Sequence, residues 1–151
     1  RIRRETVGRL PGALIVRAGH PLITGQGDTE RFPLLVAGER AVGLQPSGPL
    51  RHRLLPDAHV IEDYEAMRRI VAMSDAVMSG SVYSVLDDVA SGRLAYLSLD
   101  TAPYCGPVDV DLYWLDRRTR SRGAMAIRQE VKRQVQLLEK SASALVSAQP
   151  G

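Results

Sequence analysis

The sequence predicts a layered α/β fold with a largely parallel sheet. Three observations indicate this fold: apolar runs typical of strands alternate with helical periodicities, strand-turn-helix units follow one another, and connectors containing proline and glycine flank them. Strands that alternate with helices favour parallel pairing, because each helix returns the chain to the same end of the sheet. A chain of 151 residues is long enough for one ordinary core or for two small lobes.

The first third of the chain carries three short segments with strand character. We predict strands at Ile2 to Leu10, Ala13 to Val16 and Phe32 to Gly38. The second strand ends in a turn at His20-Pro21, and a polar, glycine-containing connector follows from Ile23 to Arg31. Residues 39–57 contain three prolines, which exclude a long helix, so this stretch is predicted to be a loop with at most one helical turn near Leu50 to Leu55.

The pattern becomes clearer in the remainder of the chain. Apolar side chains at helical spacing predict helices at Asp63 to Met73, Val82 to Ala90 and Ala124 to about Lys140. Further strands are predicted at His59 to Ile61, Ala76 to Met78, Leu94 to Leu99 and Val108 to Leu115. Ser79-Gly80-Ser81 is predicted to form the turn that joins one of these strands to its helix.

The order of these elements, with a strand that ends in His20-Pro21-Leu22, resembles the effector-binding domain of LysR-type transcriptional regulators. The resemblance extends from about Ile2 to Gln136. It implies two Rossmann-like subdomains of the type 2 periplasmic-binding-protein kind, joined by two crossover segments, with the first subdomain incomplete. The boundaries that it implies are 1–22 and 108–140 for the first subdomain, 32–99 for the second, 23–31 and 100–107 for the crossover segments, and 141–151 for a flexible tail.

Composition and charge restrict the expected partners. The formal net charge is +3, but the arginines are spread along the chain without a helix-turn-helix or RNA-binding motif, so ordinary solvated surfaces explain them. The single cysteine, Cys105, can form neither an internal disulfide nor a zinc cluster, which suits a reducing cytoplasm. No apolar run approaches the roughly 20 residues of a membrane span, and no secretory leader is visible. We therefore expect a cytoplasmic protein without membrane contact, which binds DNA only through an N-terminal domain that this sequence lacks.

A ligand site is predicted where parallel strands end, because loops and helix N-termini there present backbone N–H groups and partial positive charge. The residues expected at this site are Gly38, Arg40, Asp63, Tyr64, Ser79, Gly80 and Ser81. A guanidinium and several hydroxyl donors suit a small organic anion, and the resemblance implies an effector in the cleft between the subdomains. Simpler roles stay open: helix capping by Ser79 and Ser81, a surface charge at Arg40, packing by Tyr64, and stabilisation of the helix start by Asp63.

The residues give little support for catalysis or for a metal site. His20 precedes Pro21 at a strand end, where the resemblance implies a structural role, and the spacing of His52 and His59 matches no metal motif. We expect no catalytic residue, no metal and no cofactor, and the resemblance implies a homodimer. Two other classes stay open: a type 2 periplasmic solute-binding protein, which an export signal would reveal, and a small α/β enzyme built around His20 or Cys105.

Overall fold

The computed structural model describes residues 1–10, 12–26, 30–38, 50–97, 108–116 and 121–148. The chain divides into two compact units: Arg1–Pro11 with Pro107–Gly151, and Gly12–Gly106. The strands are β1 (Ile2–Leu10), β2 (Gly12–Arg17), β3 (Phe32–Val36), β4 (Leu54–Val60), β5 (Val77–Ser81), β6 (Leu94–Leu97) and β7 (Val108–Leu115). The α-helices are α1 (Pro21–Thr24), α2 (Tyr64–Met73), α3 (Leu86–Ala90) and α4 (Arg122–Ala148), and 3-10 turns lie at Arg51–Arg53 and Val82–Val85. No helix in the described ranges combines the length and the hydropathy of a membrane span.

The second unit, Gly12–Gly106, is built on a five-stranded mixed sheet in the order β4-β3-β5-β2-β6. β3 pairs in parallel with β4 and with β5, whereas β2 runs antiparallel to both of its neighbours, β5 and β6. The predicted α/β class is confirmed. The sheet, predicted to be largely parallel, is mixed because β2 runs antiparallel to the other four strands. Among its described residues, 18–26 and 30–31, the segment between β2 and β3 holds only the four-residue helix α1, and not the long helix that usually returns a chain for parallel pairing.

β2 is buried on both of its faces. Its side chains Ala13, Leu14, Ile15 and Val16 are each at most 1% exposed. Since successive side chains of a strand point to opposite faces, both faces of β2 must be covered. Leu14 and Val16 belong to the main apolar core of the second unit, while Ile15 lies on the face against which α2 packs.

This burial corrects the division into subdomains for residues 12–22. β2 lies in the second unit, whereas β7 pairs with β1 in the first, so Ala13–Val16 and Val108–Leu115 do not share a sheet. A strand with two apolar faces needs a central position, which the two-stranded β1-β7 ribbon does not offer. The change of unit falls at Pro11–Gly12 and not in the predicted crossover 23–31. The second predicted crossover, 100–107, lies outside the described residues.

Three further boundaries differ from the prediction. β4 begins at Leu54, earlier than predicted, and an edge position in the sheet allows it to contain Pro56. Ser79–Ser81 continues β5 and does not form a turn, because it pairs with β2. The segment 141–151, predicted as a flexible tail, is helical as far as Ala148, since α4 continues through it.

The first unit, Arg1–Pro11 with Pro107–Gly151, consists of the antiparallel ribbon β1-β7 with α4 packed against β1. Glu5 on β1 accepts hydrogen bonds from Arg128 and from Lys132 Nζ (2.6 Å) on α4. Hydrogen bonds from Lys132 and Arg128 lower the pKa of Glu5. Further along the strand, the backbone N–H of Arg9 donates to Glu139 Oε1 (2.7 Å). These contacts set the position of α4 along β1.

His20 links the end of β2 to the beginning of β5. Its Nδ1 accepts a hydrogen bond from Leu22 N (3.0 Å), so the proton of the neutral ring is on Nε2, which donates to the carbonyl oxygen of Asp75 (3.1 Å). The ring is fully buried and packs edge-on against Phe32, with 4.6 Å between ring centroids. Burial lowers the pKa of His20. The predicted structural role is confirmed, because the imidazole caps α1 and ties two strands together.

We expect Gly8→Ala to destabilise the first unit. A β-carbon at residue 8 would overlap Val135 Cγ1 and lie 2.8 Å from Glu139 Oε1, so α4 would have to move away from β1. Overpacking of this kind costs about 1 to 3 kcal/mol, which urea unfolding followed by circular dichroism would measure.

Gly123→Ala is the matched control for this substitution. Residue 123 is the second residue of α4, and the nearest atom to an added β-carbon is Ser121 Oγ at 3.8 Å, so there is room for a methyl group. Because the full gain from alanine, about 0.5 to 1 kcal/mol, applies to a helix interior, alanine in this first turn should leave the free energy of unfolding unchanged or raise it by less than that. A Gly8→Ala protein as stable as the wild type would contradict the close packing of α4 on β1.

We expect the free energy of unfolding to depend on His20 in weakly acidic solution. Since the folded pKa lies below the ordinary value of 6.5, the unfolded chain binds the proton more tightly, and stability rises with pH between the two values. The contribution is complete above pH 6.5 and is lost as the pH falls through the folded pKa. His20→Asn, whose amide oxygen can still cap α1, should remove this slope. Urea midpoints of both proteins between about pH 5 and about pH 8 test the expectation, and parallel curves would contradict it.

Candidate functional site

Three strand ends meet at one edge of the sheet in the second unit, which we call the carboxyl edge. β3, β4 and β5 are parallel, so their carboxyl ends lie together, and Ile61 N donates to Val36 O (3.0 Å) at this edge. Gly38 follows β3 in a backbone conformation with φ of +82° that favours glycine. Asp63 and Tyr64 follow β4, and β5 ends with Ser79, Gly80 and Ser81. All predicted site residues that the structure describes therefore lie at this edge, while Arg40 is outside the described residues.

Asp63 caps α2. Its Oδ1 accepts hydrogen bonds from Glu65 N (2.9 Å) and Ala66 N (3.0 Å), and its extended backbone is that of an N-cap residue. The carboxylate therefore satisfies two of the N–H groups that a helix start leaves without a partner inside the helix. An anion at the carboxyl edge would have to use other donors than these two.

Tyr64 connects α2 with the 3-10 turn that follows β5. Its hydroxyl lies 2.6 Å from Ser84 Oγ, and Ser84 Oγ donates to the carbonyl oxygen of Ser81 over 2.6 Å. Both side chains are half-buried. Sequence reasoning does not identify Ser84, because it is 20 residues from Tyr64 and no periodicity relates the two positions. The structure thus adds Ser84 to the residues at this edge.

Gly80 provides the space that the Tyr64 hydroxyl occupies. A β-carbon on Gly80 would lie 2.5 Å from the Tyr64 oxygen, which is too close for a real contact. Since side chains alternate along β5, Ser79 and Ser81 lie on the face opposite to Tyr64. Ser81 is 4% exposed, whereas Ser79 is half-buried. The predicted hydroxyl groups therefore share an edge but not a face of the sheet.

A partly buried ion pair holds α2 against α3. Arg68 Nε on α2 donates to Asp88 Oδ2 on α3 (2.9 Å), and Arg93 pairs with the same carboxylate. The hydrogen bond to Asp88 raises the pKa of Arg68. Since Tyr64 begins α2 and Ser84 lies in the 3-10 turn that leads into α3, this ion pair also helps to fix the separation of their two hydroxyls.

Two cavities formed by described residues lie away from the carboxyl edge. A cleft of about 400 Å³ beside Phe32 and Asp75 lies at the amino ends of β3 and β5. An apolar groove of about 260 Å³ in the first unit is lined by Trp114, Ile127 and Arg128 among others. Within the described residues, no group of three or more His, Cys, Asp or Glu side chains could hold a metal ion. The groups at the carboxyl edge are the Asp63 carboxylate, hydroxyls and backbone amides, all of which can form hydrogen bonds.

We expect Gly80→Ala to displace Tyr64 and to break its hydrogen bond to Ser84, at a cost of about 1 kcal/mol in the free energy of unfolding. Tyr64→Phe should rescue the substitution. Without the hydroxyl, the nearest atoms to the new methyl group are Ile15 Cδ1 at 3.6 Å and the Cζ of residue 64 at 3.7 Å, which are ordinary contacts. Urea unfolding of the two single variants and the double variant measures this. Strictly additive effects would contradict the placement of the hydroxyl over Gly80.

No protein-family model and no curated protein sequence matches the chain. Solved structures do match it. The effector domain of the transcriptional regulator AmpR of Pseudomonas aeruginosa is 14% identical, with a TM-score of 0.56 over 92% of this chain and 67% of that chain. The regulatory domain of CrgA, a LysR-type transcriptional regulator from Neisseria meningitidis, is 10% identical, with a TM-score of 0.66 over 89% of this chain and 69% of that chain. The apo form of the HypT regulatory domain from Salmonella typhimurium is 17% identical, with a TM-score of 0.59 over 90% of this chain and 66% of that chain.

The chain spans about two thirds of the length of these domains. At such low identities the likeness concerns the fold, which is the level at which the order of strands and helices in the sequence suggested it. The chain has the fold of the effector-binding regulatory domains of LysR-type transcriptional regulators.

Proposed function

We propose that this chain is the ligand-sensing regulatory domain of a bacterial LysR-type transcriptional regulator. The fold supports this, because the AmpR and CrgA domains that share it belong to transcriptional regulators. In this proposal the domain binds a small-molecule effector without transforming it. The protein works in the cytoplasm, and DNA is bound through a domain outside this sequence.

The main support for the proposal is that the predicted site residues described by the structure lie together at the carboxyl edge. Ligands of open α/β sheets collect at such an edge, where loops and helix starts provide donors and acceptors. Tyr64 and Ser79 are half-buried there, next to the start of the ten-residue helix α2. Half-buried groups are held in place by the fold and can still contact a ligand.

The proposed ligand is a small organic anion. The N-terminus of α2 carries a partial positive charge of about +0.5, which the full negative charge of the Asp63 carboxylate outweighs. The proposed anion would therefore be held by hydrogen bonds from hydroxyls and backbone N–H groups and not by a net positive charge. The HypT regulatory domain has been solved with a bromide ion bound, which supports anion binding by a domain of this fold.

A homodimer is part of the proposal. Large apolar side chains are exposed on the first unit, on β1, β7 and α4: Ile2, Tyr113, Leu115 and Ile127. A two-stranded ribbon is marginally stable by itself, and contact with a second copy would cover apolar surface of this kind.

We expect removal of the β5 hydroxyls to weaken effector binding. A thermal-shift screen of small carboxylates against the protein selects a ligand, and calorimetry then compares the wild type with the double variant Ser79→Ala with Ser81→Ala. If both hydroxyls contact the ligand, affinity should fall by about 1 to 3 kcal/mol. Because Ser81 is buried, Ser79→Ala alone is measured as well, and circular dichroism checks that each variant is folded.

Ser91→Ala is the matched control, since the Ser91 hydroxyl donates to Asp88 O at the end of α3, away from β5. The Ser91→Ala variant should bind the ligand with the same affinity as the wild type. Unchanged affinity in the folded double variant would place the site elsewhere.

A further inference from the structure

The apolar groove of the first unit lies between β7 and α4, and we call it the β7–α4 groove. Its two walls are formed by three residues of β7 and three of α4: Leu112, Tyr113, Trp114, Ala124, Ile127 and Arg128. α4 packs against β1, the other strand of the ribbon, where Gly8 leaves room for Val135. Beside β7, the small side chain of Ala124 does not fill the space below the helix, so a groove remains there.

The groove combines apolar walls with a cation. The guanidinium of Arg128 lies over the Trp114 indole, with 5.6 Å between Cζ and the ring centroid. Trp114 is partly buried, whereas Ile127 is 68% exposed. A ligand in the groove would therefore remove apolar surface of Ile127 from water, which favours binding, and it would lie next to a positive charge.

The ion pair of Arg128 leaves part of its hydrogen-bonding capacity unused. Glu5 accepts hydrogen bonds from Arg128 Nε (2.8 Å) and from Lys132 Nζ (2.6 Å), so two cations share one carboxylate. The Nε and Nη2 groups of Arg128 donate to Glu5, and its Nη1 group has no hydrogen-bond partner among the described residues. Since a guanidinium has five N–H donors, Arg128 can bind a second carboxylate without releasing Glu5.

The charge of the first unit also favours an anion. Arg1–Pro11 with Pro107–Gly151 contains twelve Arg and Lys residues and six Asp and Glu residues, which is a surplus of six positive charges. Such a surplus raises the local concentration of anions at the surface of the unit. An uncharged apolar group could fill the groove, but it would leave the Nη1 group of Arg128 without an acceptor.

We propose that the β7–α4 groove binds small monocarboxylates whose apolar part is about the size of one ring. The apolar part packs against Trp114 and Ile127, and the carboxylate binds Arg128. An apolar cavity of about 150 Å³ can hold benzene, and sites for larger ligands measure about 300 to 1,000 Å³. A groove of about 260 Å³ therefore fits one ring with a short carboxylate arm.

This site is independent of the function proposed above. The residues of the β7–α4 groove belong to the first unit, whereas the carboxyl edge belongs to the second. Ile2 and Leu115, two of the exposed side chains assigned to the homodimer, do not line the groove.

Tryptophan fluorescence of the full chain reports on the groove, because Trp114 is the single tryptophan. Titration with phenylacetate and with cyclohexylacetate should give a saturable change in its emission. Phenylacetamide has the ring without the charge, and acetate has the charge without the ring. Each of these two compounds should bind at least about tenfold more weakly, because each loses one of the two contacts.

Ile127→Glu tests where the carboxylate is bound. Ile127 is exposed, so the variant should fold, and the new negative charge should weaken the binding of phenylacetate at least about tenfold. Leu137→Glu is the matched control, because it places the same charge on the same helix at a residue that is 45% exposed and does not line the groove. It should bind phenylacetate as the wild type does, and circular dichroism checks that both variants are folded.

Arg128→Gln tests the role of the guanidinium. Glu5 keeps its hydrogen bond from Lys132 in this variant, so β1 and α4 stay linked. Phenylacetate and phenylacetamide should then bind equally, and about as weakly as phenylacetamide binds to the wild type.

Three results would overturn the proposal. The wild type could bind phenylacetate no better than phenylacetamide, Ile127→Glu could leave the binding of phenylacetate unchanged, or no carboxylate could alter the emission. In the last case, emission that changes when the protein alone is diluted would assign the groove to a second copy of the chain. None of these results bears on the carboxyl edge, whose separate test uses Ser79 and Ser81.

Discussion

The insertion of β2 between β5 and β6 is the constraint on which the second unit depends. β2 runs antiparallel to both neighbours, and its side chains from Ala13 to Val16 are buried on both faces. A strand of this kind is stable only in the middle of a sheet that is covered on two sides. Its pairing with Ser79–Ser81 extends β5 to the carboxyl edge, so the position of the candidate site follows from the position of β2.

The two edges of this sheet are built from different chemistry. At the amino end of β5, both ring nitrogens of the buried His20 imidazole form hydrogen bonds with backbone groups, and Arg17 forms an ion pair with Asp75. Such closed hydrogen bonds stabilise the fold and leave little capacity for a ligand. At the carboxyl edge, Gly38 and the half-buried hydroxyls of Tyr64 and Ser79 follow the strands. The closed hydrogen bonds of His20 explain why this histidine is structural.

Periodicity predicts most elements of the fold because it reflects burial, and burial is local in sequence. The helix over Asp63 to Met73 and the strand over Val108 to Leu115 agree with α2 and β7 within one residue. Periodicity does not identify the strands with which a given strand pairs. The apolar run Ala13 to Val16 shows that both faces are covered, but not which strands lie on either side, and the place where the chain changes unit could not be read from it.

The sequence predicts at which edge of the sheet the candidate site residues lie, but not on which face of the sheet each side chain lies. Parallel strands bring their carboxyl ends together whatever their exact length, so Gly38, Tyr64 and Ser79 could be assigned to one edge from the order of the elements. Whether two hydroxyls lie on the same face depends on whether their residues continue a strand or form a turn. Along a strand, each further residue places its side chain on the opposite face of the sheet. Ser79–Ser81 continues β5, so Gly80 faces Tyr64 and the serines do not. The absence of a side chain at Gly80 then determines which hydroxyl Tyr64 reaches, and Ser84 becomes its partner through tertiary packing alone.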